Sequence, residues 1–591
     1  MSSTASSIAS PAPPRAVPFA ACFGLALAAV TVMLLVQHWT NTGRTLLDTD
    51  DAMRLVQMRD WLAGRGWFDL HQPRVAPPFG FDSQWSRLID AGLAGLYGLF
   101  GLFASQEIAE RLMRATWPLL WLWPAFAGMT AIAWRIGGRE AALFALLMAA
   151  AGIPAYQQFM PGRIDHHNVQ IALALLTAAA TVWSDRETWC GAAAGALTGL
   201  ALAVGYESLP YLVCCGAVLA MRFVVDAKAD AALRAYAAAL FVSTLCAFAV
   251  TVGPDRWLHP HCDSIAINAV SAIAFVGAVL LLPFGSHPAR RAAKAGLAGI
   301  GAIAIFLAWQ PACRAGPFAM VDPGLWPIWL ADVREMRPLF AVLQVSPLTA
   351  AGFATFPAAA TGATLWLLGV RKYQTDFGFL AAACVFLFAA AVTVVAIRGY
   401  SYAIWFGMPL MAVFAPHVLA RLKLRAGPAC LAVALAMTPL VLTSGAIGLA
   451  LALGLHDRED FSRPESRACF QSDNYVALAA LPPGLIATDV SFGPFVLALT
   501  PHAVMSAPYH WESKGMIAAH RMLSSPPGQA RDILRDWKVN YVVTCGPRPP
   551  VGLTPREREE SLWGALQSGR VPAWLDAVAS GGPFQVYRVR P

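Results

Sequence analysis

Two long stretches, Phe19 to Val36 and Phe377 to Ile397, contain no charged residue. Wound as helices, each is long enough to cross the ~30 Å hydrocarbon core of a bilayer. Helices and closed barrels are the structures that span lipid with every backbone polar group paired. Similar apolar blocks recur until about His456. Of the chain, 57% is hydrophobic and 13% charged, against about 25% charged in soluble domains. The expected fold class is therefore a polytopic α-helical membrane protein with about thirteen transmembrane helices.

The basic loops fix the expected topology. Arg135 and Arg139, Arg186, Lys228 and Arg234, Arg290, Arg291 and Lys294, Arg371 and Lys372, and Arg421, Lys423 and Arg425 all fall on one side. This requires that the apolar stretch Leu93 to Phe103 does not span and forms a helix or hairpin in the first external loop. By the positive-inside rule that side is cytoplasmic, as is the N-terminus. The net charge of +8 follows from this rule and does not point to nucleic acid as a partner. Residues 1–16 read as a disordered cytoplasmic tail, and the first span lacks an A-x-A cleavage site. The region 17–455 reads as the membrane domain, with external loops at 39–113, 156–168 and 311–340, and a shorter one at 254–264. An odd number of crossings leaves 456–591 outside, in the periplasm or extracellular space, with the spans in the inner (plasma) membrane.

From about His456 charges and prolines replace the apolar blocks. The stretches "GLIATDV", "AVMSAPYH", "VNYVVTC" and "FQVYRV" have strand patterns, and "MIAAHRMLSS" and "GQARDILRDWK" helical ones. A small C-terminal α/β domain is expected. Cys262, Cys313, Cys469 and Cys545 would be external and able to form disulfides, and three pairings remain open.

Four polar clusters fall on the external side. In "GRIDHHNVQ", an extended loop would point Asp165 and His167 to one side, where an aspartate oxygen and an imidazole nitrogen suit a divalent cation such as Mn2+ or Mg2+. The other reading is a cap on the helix that follows. In "LLDTDDAMRL", Asp48, Asp50 and Asp51 repel one another unless a cation or basic partner sits among them, and one of them suits the N-cap of a helix starting near Ala52. Glu335 lies between Arg334 and Arg337, which suits a surface ion pair or a site residue. Arg398 sits at the external edge of its helix, either snorkelling or clamping an anionic headgroup or pyrophosphate. Ionisable groups at a membrane edge mark a functional site by default.

The order of these motifs resembles the catalytic subunit of oligosaccharyltransferases, within the C-type (GT-C) superfamily of membrane glycosyltransferases that use lipid-linked sugars. "DDAMRLVQMRDWLAGRGWFDL…PPFG" is similar to that family's first loop, "GRIDHH" to its G-x-x-DHH motif, and "DVREMRP" to its glutamate-bearing fifth loop. The resemblance implies metal ligands at Asp51, Asp165 and His167, a catalytic glutamate at Glu335, and a donor-phosphate contact at Arg398. The family's WWDYG motif, which reads an Asn-x-Ser/Thr acceptor, is missing. The matching stretch "ATDVSFGPFVLALTPHAVMSAPYH" keeps Ser491-Phe492-Gly493, has no tryptophan, and carries a displaced Asp489.

The resulting expectation is a metal-dependent transferase that moves a sugar or oligosaccharide from a polyprenyl-phosphate or -diphosphate carrier to a glycan, lipid or protein acceptor. Asp51, Glu335, Asp48 and Asp50 are the candidate catalytic carboxylates. Alternatives are a transferase acting on lipid or polysaccharide on the same scaffold, or a flippase of lipid-linked glycans. The missing tryptophans weigh against a sequon acceptor and favour another hydroxyl.

Overall fold

The computed structural model describes residues 18–283, 287–424, 427–458, 467–547, 549–578 and 582–590. The expected N-terminal tail and Arg425 lie outside them. Seven helices are long and apolar enough to cross a bilayer, and the pair Pro428–Ala436 and Pro439–Ala452, bent by 67°, makes an eighth. The helix Gln106–Ala150 is broken at Gly138, whose φ of 71° suits glycine alone, so its two arms are separate crossings. Four shorter apolar helices, His167–Trp183, Thr188–Val204, Leu209–Val225 and Ile267–Leu281, complete the thirteen crossings expected. The apolar stretch around Leu93 is one helix of the first loop, Arg87–Gly101.

The basic loops gather at one end of the bundle. Arg135 pairs with Asp185 and, at 3.1 Å, with Asp376. Arg222 lies over Phe377, while Arg291 and Lys294 donate to the carbonyls of Val224 and Leu282. These contacts join turns that the sequence places on a common side.

At the other end, a short hairpin of β1 (His71–Gln72) and β2 (Phe81–Asp82) belongs to the first loop. The C-terminal domain is built on a five-stranded sheet of β3 (Leu485–Ala487), β4 (Ala503–Val504), β5 (Tyr541–Cys545), β6 (Leu575–Val578) and β7 (Phe584–Val589), in the order β4-β3-β5-β7-β6. Strand β3 pairs in parallel with β4 and β5, and β7 runs antiparallel to β5 and β6. The four expected strands and both expected helices are present. Strand β6 was not expected: it is a short edge strand with only one fully buried side chain, too little alternation to be read as a strand. The stretch expected as strand and turn also contains a helix, Gly493–Leu499, started by Pro494 and almost wholly buried.

The first loop and the C-terminal domain share one hydrophobic core, in which Val56, Phe81 and Trp85 meet Phe495, Val504 and Tyr509. The loop also extends the sheet at β4, since Val504 N donates to Arg74 O and Ala76 N to Val504 O, both at 2.8 Å. The four cysteines expected to be external are paired, Cys262 with Cys313 and Cys469 with Cys545.

Beneath this core Asp90, fully buried, accepts from Arg54 at 3.1 Å and Arg87 at 3.2 Å, and Arg54 lies 4.7 Å over the Trp85 ring. One carboxylate thus pairs with two guanidinium groups that have no access to water. Asp90→Ala is expected to cost about 3–5 kcal/mol, because breaking a buried pair leaves uncompensated charge. Denaturant unfolding in detergent micelles measures this; a change below about 1 kcal/mol would contradict it.

Candidate active site

The site is built from the start of one helix of the first loop and a turn between two spans. The helix Thr49–Leu62 begins at Asp48, whose Oδ1 accepts from Asp50 N at 3.4 Å and Thr49 Oγ1 at 3.0 Å, so Asp48 is the capping member of the acidic trio. The facing turn starts at Gly162, where φ is 102° and a side chain would be strained. Asp51 is fully buried and its Oδ1 accepts the amides of Ile164 at 2.7 Å and Asp165 at 3.0 Å. The carboxylate of one loop therefore folds the other.

Arg163 lies between the acids. Its Nη1 reaches Asp48 Oδ2 at 2.9 Å and Asp51 Oδ2 at 3.1 Å, and its Nη2 reaches Gln158 Oε1 at 2.8 Å and Asp165. Three carboxylates thus share one guanidinium. Burial, then repulsion from Asp165 and Asp48, outweighs Arg163 at Asp51 and pushes its carboxyl up to about 7. Burial and the Asp48, Asp165 and Glu207 charges raise Asp50 well above the usual carboxylate range.

The segment between Asp165 and His167 is not extended. His166 has φ −89° and ψ −11°, because Asp165 Oδ1 accepts His167 N at 3.1 Å and turns the chain into the helix. Capping still places Asp165 Oδ2 3.8 Å from His167 Nε2. The capping reading is therefore realised, and it leaves Asp165 beside His167.

Glu207 completes the cluster and was absent from the sequence candidates. Its Oε1 lies 3.1 Å from His166 Nε2 and its Oε2 2.8 Å from His167 Nδ1, and it also pairs with Arg398. Burial opposes its charge, but Arg398, His167 and His166 hold it well below the usual range. Its one sequence signal is an acid within the four-residue link between Thr188–Val204 and Leu209–Val225. Arg398 Nη1 reaches Glu335 Oε1 at 2.6 Å, so the loop glutamate pairs across 63 positions of chain.

Asp48, Asp50, His166, His167, Glu207, Glu335 and Arg398 all line one cavity of about 540 Å3, roofed by the loops around Asp263 and Phe318 and by residues 508–511. Asp51 and Asp165 lie behind its wall, fully buried. Asp489 is elsewhere, in a separate cavity of about 60 Å3 with Trp329 and His520. As a donor set for a metal, His166, His167 and Glu207 each offer one atom, all within 4.8 Å of one another. Asp51 differs from the expected ligand set in that its oxygens are engaged by Arg163 and two amides.

No protein-family model and no curated protein matches the sequence. Solved structures do match the fold. The archaeal oligosaccharyltransferase AglB from Archaeoglobus fulgidus, in complex with an inhibitory peptide and a dolichol-phosphate, aligns with a TM-score of 0.62 at 13% identity, over 89% of this chain and 69% of that one. The Archaeoglobus fulgidus oligosaccharyltransferase in complex with Zn and sulfate aligns with a TM-score of 0.57 at 15% identity, over 88% and 67%. The same enzyme tethered to an acceptor peptide containing the NVT sequon gives 0.58 at 14%, over 89% and 68%. The chain thus has the fold of these proteins: a multi-pass helical membrane region with a C-terminal domain.

Removing Arg163 exposes the acids to one another. Arg163 helps hold Asp48 and Asp165 below the usual carboxylate range and opposes the rise at Asp51. In Arg163→Gln all three folded-state values rise, so the lost stability grows as pH rises through them. The variant is expected to lose about 3–5 kcal/mol at pH 8 and clearly less at pH 5. Unfolding midpoints of both proteins at the two pH values measure this, and an equal loss at each would contradict the shared-guanidinium arrangement.

Proposed function

We propose that this protein is a membrane glycosyltransferase that moves a sugar from a polyprenyl-phosphate or -diphosphate carrier to a hydroxyl acceptor. The observation that carries the reading is the convergence of Arg398, the His166–His167–Glu207 set and the carboxylates Asp48 and Asp50 on one cavity at the end of a helix bundle. The fold is that of a protein solved with a dolichol-phosphate bound.

Transfer breaks the bond between the sugar C1 and the carrier oxygen, and the lipid phosphate leaves as an anion. Arg398 offers a charged fork to that phosphate, its orientation fixed by Glu207 and Glu335. The imidazoles and carboxylates of His166, His167 and Glu207, with Asp165 beside His167, are chemically suited to a divalent cation such as Mn2+ or Mg2+. When bound, such an ion would supply further positive charge against the leaving group. Asp51 and Asp165 would both reach it only by releasing Arg163, and Asp51 otherwise shapes the turn that presents His167. Among the candidate bases, Asp48 is held by Arg163 and Glu335 by Arg398. Asp50 lines the cavity without an ion-pair partner among the described residues and is placed to accept from an acceptor hydroxyl.

The site opens on the external side of the inner (plasma) membrane in this reading, opposite the basic loops. Both disulfides lie at the site's end of the molecule, in keeping with an oxidising compartment. The acceptor is not an Asn-x-Ser/Thr sequon, because Asp489 and Ser491 face away from the cavity into a smaller one.

Purified protein given a labelled polyprenyl-phosphate-linked sugar is expected to release it. Arg398→Gln should lower kcat about 10^2–10^3-fold, the usual effect of losing one charge-stabilising donor. His167→Ala and chelator should each abolish turnover, with Mn2+ or Mg2+ restoring the chelated wild type. Unchanged turnover in both variants would overturn the reading. A phosphatase fused after Pro591 should be active outside the cytoplasm; activity only inside would invert the orientation.

A further inference from the structure

The wall of the cavity opposite Arg398 is formed by groups that the transfer chemistry above does not use. Asp263, from the loop before the helix Ile267–Leu281, meets two residues of the C-terminal domain. His510 Nε2 lies 2.5 Å from its Oδ2, and Trp511 Nε1 donates to the same oxygen at 3.0 Å. Both bonds fall on Oδ2, and among the described residues Oδ1 has no protein donor. The carboxylate thus keeps an acceptor oxygen for whatever enters, and its side chain is only 12% exposed.

The surroundings hold this group rigidly. The Trp511 indole stacks on His261 with centroids 4.5 Å apart and planes at 19°, and Phe318 meets the His510 ring edge-on. The backbone of His261 is clamped by Asn268, whose Nδ2 donates to His261 O at 2.7 Å. Cys262, between His261 and Asp263, is bonded to Cys313. On the other flank, Tyr509 OH donates to Thr49 O at 3.0 Å and its ring stacks on Phe81. Tyr509 therefore fixes this wall directly above the Asp48–Asp50 helix start.

We propose that Asp263, His510 and Trp511 form the acceptor subsite and that it takes a saccharide, whose hydroxyl is the nucleophile. A pyranose or furanose ring has an apolar C–H face and a rim of hydroxyl groups. An indole, large and rigid, suits the face, and a fixed carboxylate oxygen with an adjacent imidazole suits the rim. Arg256 and the aliphatic side chains of Val252 and Ile265 line the same cavity, while the Asp263 carboxylate beside the indole disfavours a phosphate at that point of the wall. A site built to hydrogen-bond a hydroxyl discriminates strongly against ligands that lack it. This assignment rests on the glycosyltransferase reading above.

The test supplies purified full-length protein with a labelled polyprenyl-phosphate-linked sugar. It is offered three acceptors in turn: the polysaccharide and the glycolipid fractions of the source envelope, and a mixture of Asn- and Ser/Thr-containing peptides. Label is expected in a saccharide product, with an organic phase marking a glycolipid source and an aqueous phase a polysaccharide. Trp511→Ala and Asp263→Asn should each raise the acceptor KM at least tenfold with a smaller effect on kcat, and Trp511→Phe should recover most of the loss. Label in peptide, or a wild-type acceptor KM in both variants, overturns the subsite. If the wild type releases no sugar from the carrier, even to water, the glycosyltransferase reading falls and the subsite falls with it.

Discussion

Three aspartates cannot share a buried corner of a protein without a counter-charge, and here one guanidinium provides it. Two like charges 4 Å apart repel by about 4 kcal/mol at the effective dielectric of a protein interior near its surface. Asp48, Asp51 and Asp165 each contact Arg163, so that repulsion becomes attraction to a common centre. Because these residues come from two loops, the same contacts fix the loops against each other. Asp51 adds two backbone amides of the facing turn. The position of His166 and His167, and through them of Glu207 and Arg398, follows from that junction. Electrostatics acts here as the local architecture, with hydrophobic burial arranged around it.

In the proposed reading the two parts of the molecule divide the donor and acceptor groups between them, except that Asp263 and His261 of the acceptor wall come from a loop of the membrane region. The membrane loops carry the cationic and acidic groups suited to a phosphate-bearing donor. The C-terminal domain carries aromatic and imidazole groups suited to an acceptor. They are joined by one hydrophobic core and by a sheet edge continued by the first loop, so the domain is docked over the cavity and not tethered beside it. A buried Glu512 immediately after Trp511 accepts the amide of Gly515 at 2.7 Å and starts the helix Ser513–Ser524, tying the aromatic wall to the body of the domain.

Much of this was legible in the sequence, for identifiable reasons. The spans are readable because lipid demands long uncharged runs, as at Phe377–Val395, and the basic loops betray their common end. Strands β5 and β7 are readable because they are long enough to show a pattern. Asp48, Asp165, His167, Glu335 and Arg398 stand out because ionisable groups are rare in such a chain. Glu207 escaped because its link is four residues long and looks like a turn between helices. The role of Arg163 escaped because a guanidinium beside an aspartate suggests a local pair, while its partners Asp48 and Asp51 lie 115 and 112 positions away. Asp263 and His510 are 247 positions apart, and no local pattern announces their meeting. What the sequence shows is what a short window encodes, and the missing contacts are those made by folding.

The bond from Tyr509 to Thr49 spans 460 positions, and this separation orders the birth of the molecule. A ribosome has delivered every membrane helix before it reaches the residue that closes the cavity. Throughout insertion the first loop, with its acidic helix start, must wait without the Tyr509 bond that ties it to the C-terminal domain. A nascent chain cut short before Tyr509 would carry the Asp263 and Phe318 loops of the roof and lack its last part, residues 508–511. Closure of the cavity thus depends on residues 508–511, made after the whole membrane region and after the other parts of the roof.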